Sequence, residues 1–436
     1  MLDPSVEVGE KGARIMRPSP TLARTCTTAL VFAVAFSFAR ESRSDDGRPA
    51  PERAKEAKTE VGFVPIVGGD SDVGIGGGVV GTITRLDPKY DNYLWKLDAS
   101  GVVTFKGGDA DGFRVPYQDY LATLTLPHLA GGRVRLEVKP EFTDETTLKF
   151  FGFGNASIAP EKTGRGNEYG RIHPMLSVRT RVRLVPHVDV LVGVAYTHNW
   201  LAIRSDATVA ERLRAAEGAE RDLFRQSLKS LDPHGLAHFE YGLVFDSRDD
   251  ETSTLSGQFH QAKVRLSPGG TPEFPYRYAQ FDVNLRAYVP IVGRRLSMAV
   301  RLVGDAIVGD APFYELAKFD DFFALGGTFG VRGIPAQRYY GKIKAFGNLE
   351  FRSEFANFRM FGKEFGFGLA AFFDAGRVWA DWTPAPELDG TGAGMKFGVG
   401  GGPRLRQGRS FLVRGDVAWS PDARPIGAYF AAGQAF

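Results

Sequence analysis

The chain has 436 residues, 34 of them phenylalanine, with 24% charged residues and a net charge of +3. The near-neutral balance, without a basic stripe that interleaves with aromatic residues, excludes a typical nucleic-acid-binding protein. The single cysteine, Cys26, excludes a disulfide framework.

Residues 1–39 have the features of an export signal. A basic stretch precedes an apolar run of about ten residues, 29–39, which is too short to span a bilayer as a helix. Met16 is a second candidate start, because it would place the basic stretch at the terminus. A short buried helix is the alternative interpretation. Cys26 precedes the apolar run, whereas a lipoprotein cysteine would follow it, so lipidation is not expected.

Residues 40–60 are rich in charge, proline and alanine, which predicts a disordered linker. Residues 61–436 contain no apolar run long enough for a membrane helix and are predicted to form one β-barrel domain. Polar and apolar residues alternate there in many short segments. Val178 and Val182, for example, oppose Arg179. A period of two predicts strands with one apolar and one polar face.

This alternation fits two architectures. A soluble sandwich would bury the apolar face, whereas a transmembrane barrel would place it in lipid and the charged face in the lumen. The export signal, the absence of cysteine after it, and aromatic residues near the strand ends favour the barrel. Sixteen candidate strands are predicted, at residues 61–67, 73–85, 92–105, 117–126, 133–142, 175–184, 188–200, 237–246, 258–267, 277–289, 295–305, 342–356, 364–375, 394–406, 410–420 and 426–436.

The lengths of the connections indicate which end of the barrel faces outward. The longest ones, after the fifth, seventh, eleventh and thirteenth strands, all follow odd-numbered strands, and those after even-numbered strands are shorter. We therefore predict an all-β fold, a 16-stranded antiparallel transmembrane β-barrel with long extracellular loops, short periplasmic turns and both termini in the periplasm. Closure is expected because an open edge in lipid would leave backbone groups unpaired.

The connection 205–231 departs from this loop pattern, because residues 208–229 predict a solvated helix on the outer face. Its apolar residues lie among charges of both signs: Val209, Leu213, Ala216, Leu223 and Leu228. It is either a lid or surface-recognition element, or a loop helix without a function of its own.

Residues 320–355 begin as a loop dense in glycine and end as a strand. Gly330 and Gly333 flank Arg332, and the strand carries Glu350 on its polar face. Glycine permits positive φ and a close approach of backbone to backbone, so this loop is expected to fold back into a closed structure.

Four motifs in this order resemble the BamA/TamA family, the bacterial surface antigen superfamily of outer-membrane insertases and two-partner secretion pores. The resemblance covers roughly the last two hundred residues. The motifs are Asp246-Ser247-Arg248-Asp249 followed by Gly257, Val331-Arg332-Gly333 followed by Asn348-x-Glu350-x-Arg352, Phe372-Phe373-Asp374-Ala375-Gly376, and Ala431-Ala432-Gly433-Gln434-Ala435-Phe436.

The resemblance implies a role for each motif. Arg332, between Val331 and Gly333, would point into the lumen and pair with Glu350 and Asp374. Ile334 stands where the family usually has an aromatic residue, which predicts looser packing of the loop tip. The remaining motif residues would form a periplasmic turn, Asp246, Arg248, Asp249 and Gly257, and a C-terminal assembly signal, Gly433 and Phe436. A solvated turn is the alternative for the first of these, and a solvated loop arginine for Arg332.

By the same resemblance, the protein would lie in the bacterial outer membrane and insert proteins into it or translocate them across it. Its partners would be outer-membrane lipid, the assembly machinery during biogenesis, and a periplasmic partner or a secreted polypeptide. Family members usually carry periplasmic POTRA domains before the barrel, and the linker 40–60 is too short to form one. A passive porin or structural barrel, and an outer-membrane hydrolase, are the alternatives.

No catalytic residue, metal site or cofactor is expected. The seven histidines show no metal-ligand spacing, and the serines Ser247 and Ser256 lie in a turn without a hydrolase motif. The glycine-rich stretch 74–81 lacks the Lys-Ser/Thr ending of a phosphate-binding loop.

Overall fold

A computed structural model describes residues 57–70, 74–89, 93–109, 112–158, 166–249, 254–293, 295–319, 322–323, 325–360, 363–407, 411–422 and 426–436. The predicted export signal, 1–39, and most of the predicted linker, 40–60, lie outside these residues. The first strand begins at Lys58, so it takes in the last residues assigned to the linker.

The described residues form strands and a few short helices. The strands are β1 (Lys58–Asp70), β2 (Gly74–Leu86), β3 (Trp95–Asp109), β4 (Gly112–Arg114), β5 (Tyr117–His128), β6 (Val134–Lys149), β7 (Glu168–Ile172), β8 (Met175–Val185), β9 (Val188–Ala202), β10 (His234–Asp246), β11 (Gly257–Pro268), β12 (Arg277–Pro290), β13 (Ser297–Asp310), β14 (Lys318–Phe319), β15 (Phe322–Phe323), β16 (Ile343–Met360), β17 (Lys363–Trp379), β18 (Lys396–Gln407), β19 (Phe411–Trp419) and β20 (Gly427–Ala432). The helices are α1 (Leu129–Gly132), a single irregular turn, α2 (Thr208–Ala215), α3 (Gly218–Ser227), α4 (Phe313–Leu316) and α5 (Pro386–Asp389). None of these helices is long and apolar enough to cross a membrane.

All strands except the β14–β15 hairpin belong to one antiparallel sheet of eighteen segments. β4 and β5 both pair with β3, and β7 and β8 both pair with β6. Each of these two pairs is therefore one barrel strand with a short interruption. The described residues therefore contain sixteen barrel strands, as predicted. Consecutive strands pair from β1 to β20, and these two lie side by side, with Cα atoms within 8 Å. Among the described residues no hydrogen-bonded register joins β1 to β20.

The barrel is polar inside and apolar outside, which decides between the two architectures that the sequence left open. Arg301 and Asp374 are 0% exposed, whereas their chain neighbours Leu302 and Phe373 are 56% and 47% exposed. A soluble sandwich would show the reverse. The apolar exterior is what a lipid-facing surface requires.

Three details differ from the prediction. Several strands run further toward the loop end, so β6 reaches Lys149 and not residue 142, because pairing with neighbouring strands outweighs the weak local alternation. Phe365, which strand alternation would place on the same face of β17 as the exposed Phe373, is 3% exposed and stacks on Phe358 beside an irregularity in the β16–β17 register. The last strand ends at Ala432, not at residue 436, because Gly433 takes a φ of +81° and turns the chain inward.

The long connections fold together over the loop end of the barrel and form one buried cluster, which we call the cap. Its members come from the connections after β6, β9, β13 and β17. Aromatic rings dominate its centre, where Phe224 contacts Phe150 and Phe153 at centroid distances of 5.9 and 4.9 Å. The principal members are Phe150, Phe153, Val209, Leu223, Phe224, Phe313, Tyr314, Leu325, Val331, Ile334, Tyr340 and Leu388.

The predicted solvated helix at 208–229 is wrong in two respects. It is two helices, α2 and α3, because the chain is extended at Ala216 and Glu217 and Gly218 takes a φ of +51°. Its apolar face is not solvated, since Leu223 is 0% exposed in the cap. Leu213, at 40% exposure, does remain at the surface.

Candidate functional site

The loop before β16 carries Arg332 from the cap into the lumen. A tight reversal forms where the amide of Gly327 donates to the carbonyl of Ile334 at 2.8 Å. Gly327 and Gly333 have φ angles of +87° and +96°, which glycine tolerates and other residues rarely adopt. Ile334 is fully buried in the cap, so the looser packing expected at this position is not observed.

Arg332 is fully buried and is held by Asp374 on β17. Its Nε donates to Oδ2 of Asp374 at 2.8 Å and one terminal nitrogen donates to Oδ1 at 3.0 Å. The backbone amide of Arg332 donates to the same carboxylate at 3.1 Å. The guanidinium carbon also lies 3.3 Å from the centre of the Phe372 ring. A bidentate pair of this kind fixes direction as well as distance.

Two further carboxylates surround the second terminal nitrogen of Arg332. Asp416 on β19 lies 3.3 Å from it and Glu350 on β16 lies 3.6 Å from it. Arg404 on β18 bridges these carboxylates, at 2.8 Å from Glu350 and 2.7 Å from Asp416. We call these five residues, Arg332, Glu350, Asp374, Arg404 and Asp416, the loop–lumen network. Charges buried this completely persist only when they are paired, so each member depends on the others.

Backbone contact reinforces the network, because the loop lies directly against the barrel wall. A Cβ atom at Gly398 would lie 1.8 Å from the carbonyl oxygen of Arg332, so only glycine fits there. On the next strands, a Cβ at Gly333 would lie 2.9 Å from the backbone of Trp419, and the amide of Gly333 donates to the hydroxyl of Tyr429 at 2.8 Å. The loop therefore contacts strands on both sides of β18.

The predicted turn residues come together between β10 and β11. Arg248 makes a two-point ion pair with Asp246, at 2.9 and 2.7 Å. Asp249 accepts hydrogen bonds from the amides of Leu255 and Ser256 at 3.0 and 3.2 Å. A Cβ at Gly257, whose φ is +102°, would lie 2.3 Å from a backbone oxygen across the turn. These contacts join the ends of two strands.

The last residues leave the barrel wall after Gly433 and enter the lumen. Phe436 is 8% exposed and packs with Tyr288 and Ala299. Arg301 and Arg352 lie 4.9 and 5.0 Å from its ring. Arg352 also donates to the carbonyl of Phe436 at 3.1 Å. The Phe436 side chain thus faces the lumen; its role as an assembly signal remains a prediction.

The Omp85 superfamily domain matches residues 117–436, which is more than half of the chain. The chain belongs to the Omp85 superfamily. The match confirms the resemblance to the BamA/TamA family and the predicted location in the bacterial outer membrane. No curated protein sequence matches the chain significantly.

Two solved structures share the fold of this Omp85 barrel. One is BamA from Haemophilus ducreyi lacking POTRA domains 1–3, with 14% identity, a TM-score of 0.54, and coverage of 87% of this chain and 70% of that one. The other is CdiB from Escherichia coli, with 14% identity, a TM-score of 0.52, and coverage of 85% and 62%. The chain therefore spans less than two thirds of CdiB. At such low identity, the likeness shows the fold alone.

Sequence reasoning missed two members of the loop–lumen network in this Omp85 barrel, Arg404 and Asp416. A signal was present, because strand alternation places Asp416 on the same face as Arg414, opposite Val417. Alternation in β18 is weak, since this strand is rich in glycine. No sequence pattern states that β18 and β19 meet the loop, because their register with it depends on closure of the whole sheet.

Proposed function

We propose that this Omp85 barrel inserts polypeptides into the outer membrane or translocates them across it. The observation that carries the proposal is the Arg332 loop, held inside the lumen by three buried carboxylates beneath a closed cap. A passive porin requires a lumen that is open at rest. A lumen closed by separable ion pairs and a packed cap instead suits a barrel that opens only when a substrate engages it.

The junction of β1 and β20 supports insertion in particular. β20 has 6 residues against 13 in β1, and no register joins them within the described residues. Backbone groups left unpaired in lipid cost several kcal/mol each. An incoming strand could pair with the part of β1 that the shorter β20 does not reach, as in other cases of strand addition to a sheet edge.

We infer partners of four kinds from this proposal. Superfamily members act with polypeptide substrates or assembly partners, so an unfolded polypeptide is the proposed substrate. Outer-membrane lipid surrounds the barrel, and the assembly machinery would act during its biogenesis. A periplasmic protein would deliver the polypeptide to the barrel. No catalytic role or nucleic-acid partner is proposed.

Two measurements on the reconstituted barrel test the proposal. Liposomes that contain it should fold a urea-denatured outer-membrane barrel faster than empty liposomes, scored by the heat-dependent gel shift of the substrate. Single-channel recordings should show a mostly closed, fluctuating pore. Equal folding rates together with a steady, large conductance would instead establish the porin alternative, and lipid hydrolysis by the same liposomes would establish the hydrolase alternative.

A further inference from the structure

Residues 433–436, which follow β20, leave the wall and lie in the lumen; we call them the inturned segment. Phe436 packs there with Tyr288 and Ala299, which stand directly opposite each other near the turn that joins β12 to β13. A cavity of about 200 Å³ opens at this turn end, and Arg286, which lines it, is the neighbour of Tyr288 on the lumen face of β12. A polypeptide that enters from the periplasm would therefore meet the inturned segment early.

Arg301 joins the inturned segment to the loop that carries Arg332. One terminal nitrogen of Arg301 donates to the carbonyl of Ala435 at 3.3 Å, and the other donates to the carbonyl of Phe329 in that loop. The guanidinium carbon also lies 4.9 Å from the centre of the Phe436 ring. Because a guanidinium is planar, it reaches two separate acceptors only in a fixed orientation. A displacement of the inturned segment therefore disturbs the contact of Arg301 with the loop.

Asn348 on β16 extends this connection to the loop–lumen network. Its side-chain oxygen accepts from Nε of Arg301 at 2.9 Å. Its side-chain nitrogen donates to the carbonyl of Gly330 at 2.9 Å and to Oδ1 of Asp374 at 2.7 Å. With its oxygen held by Arg301, the amide presents its two donors to the loop and to the principal partner of Arg332. The contacts thus run without a gap from the inturned segment to the centre of the network.

The inturned segment is held less firmly than the loop. Its contacts with Arg301 and Arg352 are single hydrogen bonds from side chains to carbonyls, at 3.3 and 3.1 Å. Arg332, in contrast, makes a two-point ion pair with Asp374, at 2.8 and 3.0 Å. The buried side-chain oxygen of Gln434 accepts no hydrogen bond from the described part of the chain, which weakens the seating of the segment. Of these two lumen elements, the segment is the easier to displace.

We propose that the inturned segment is an internal latch on the Arg332 loop. While it is seated, it keeps Arg301 and Asn348 in the positions from which they hold the loop. When an entering polypeptide displaces it, the loop loses these contacts and can leave the lumen. The inference rests on the proposed function, because that function supplies the polypeptide, and it names how opening of the lumen is regulated. Such coupling is reciprocal, so a seated loop also stabilises the latch.

Labelling of a buried thiol in the loop tests this inference on the full-length protein in detergent micelles. In a Cys26→Ser background, Val331→Cys places a thiol at a fully buried position, which a water-soluble maleimide reaches only after the loop moves. When opening and closing are faster than labelling, the labelling rate follows the fraction of open loop. Phe436→Ala should raise that rate about tenfold, the change expected when a buried cation–π contact is lost.

A double variant shows whether the effect passes through Arg301. Arg301→Lys keeps the charge but lacks the planar fork that reaches Ala435 and Phe329 together. In this background, Phe436→Ala should change the labelling rate by less than about twofold, because residues on one path have non-additive effects. If Arg301→Lys does not fold, scored by the heat-dependent gel shift, Asn348→Ala breaks the same path one contact later.

Phe259→Ala is the matched control for general loosening of the barrel. Phe259 is also a lumen-facing phenylalanine, 5% exposed, but it packs in a separate cluster with Leu191 and Val244. This variant should leave labelling of the loop thiol unchanged. An equal rise for Phe259→Ala and Phe436→Ala would overturn the inference. So would an unchanged rate for Phe436→Ala, or a further tenfold rise in the double variant.

Failure of the proposed function gives a different result, because the labelling experiment contains no substrate. A barrel that shows the non-additive rise but does not accelerate folding in liposomes would retain the latch and lose the insertase role. A barrel that accelerates folding but labels equally with and without the Phe436 ring would retain the insertase role and lose the latch.

Discussion

The two ends of the lumen differ in packing and in the balance of their charges. The loop end is sealed by aromatic packing in the cap and by the loop–lumen network, whose charges are nearly balanced. The turn end holds a cavity in which arginines outnumber carboxylates. The first arrangement joins oppositely charged side chains in one buried network, whereas the second is lined by four arginines and two carboxylates. The comparison shows a lumen that is filled by packed side chains at the loop end and holds a cavity at the turn end.

The largest effect should follow from breaking the closed end at its centre. Arg332→Ala leaves Asp374 buried without its principal partner, at a cost of about 3–5 kcal/mol. The temperature at which the folded barrel converts to the slower-migrating unfolded band on a gel should fall clearly. Arg359→Ala is the control, because its ion pair with Glu364 is exposed and worth about 0–1 kcal/mol. An unchanged conversion temperature for Arg332→Ala would contradict the importance of the network.

A second change loosens the cap. Leu223→Ala creates a cavity at a fully buried position of α3, and such substitutions cost about 2–5 kcal/mol. Because Leu223 lies in the cap and outside the barrel wall, we expect more frequent pore openings in planar bilayers. Leu213→Ala, at a position that is 40% exposed, should not change the frequency of pore openings. If both variants gated alike, the cap would not be the outer seal.

A smaller effect is expected from pushing the loop away from the wall. Gly398→Ala places a methyl group 1.8 Å from the Arg332 carbonyl oxygen, and overpacking of this kind costs about 1–3 kcal/mol. Gly304→Ala on β13 is the matched control, since no atom lies within 4 Å of its added Cβ. The gel conversion temperature should fall only for Gly398→Ala. Equal behaviour of the two variants would mean that the loop is not seated against β18.

Mild acidification should have the smallest effect on the cap. Burial favours the neutral form of Glu315 in α4, but the nearby cations Lys318 and Arg171 outweigh it and lower its pKa to about 2. Because the folded pKa lies below the usual value of 4.5, the stabilisation is complete above pH 4.5 and is lost as the pH falls toward 2. Resistance of the cap to proteolysis should therefore be constant from about pH 7 to 5 and decline below about 4.5.

The variant Glu315→Gln checks this assignment, because it removes the titrating group. It should lose part of the acid-dependent decline, measured with an acid-stable protease. A decline that began already between about pH 7 and 5 would instead assign the pH dependence to other groups.

Much of the barrel could be predicted from local patterns. Alternation placed Glu350 on the polar face, the resemblance pointed to Asp374, and the structure brings both to Arg332. Alternation did not place Phe436, because a single inward turn at Gly433 removes it from the strand pattern. The helices α2 and α3 were expected in solvent, because a local pattern does not show which other loops will cover them.

The sequence by itself determined the strand number, the two faces of the wall and the side with long loops. Those features depend on residue order alone, since the backbone pleat alternates side chains wherever a strand forms. Only the tertiary structure decided that Arg332 also meets Asp416, 84 residues later, and that the loops seal one end while arginines gather at the other. These contacts exist only once the sheet closes, because closure sets which distant side chains share the lumen.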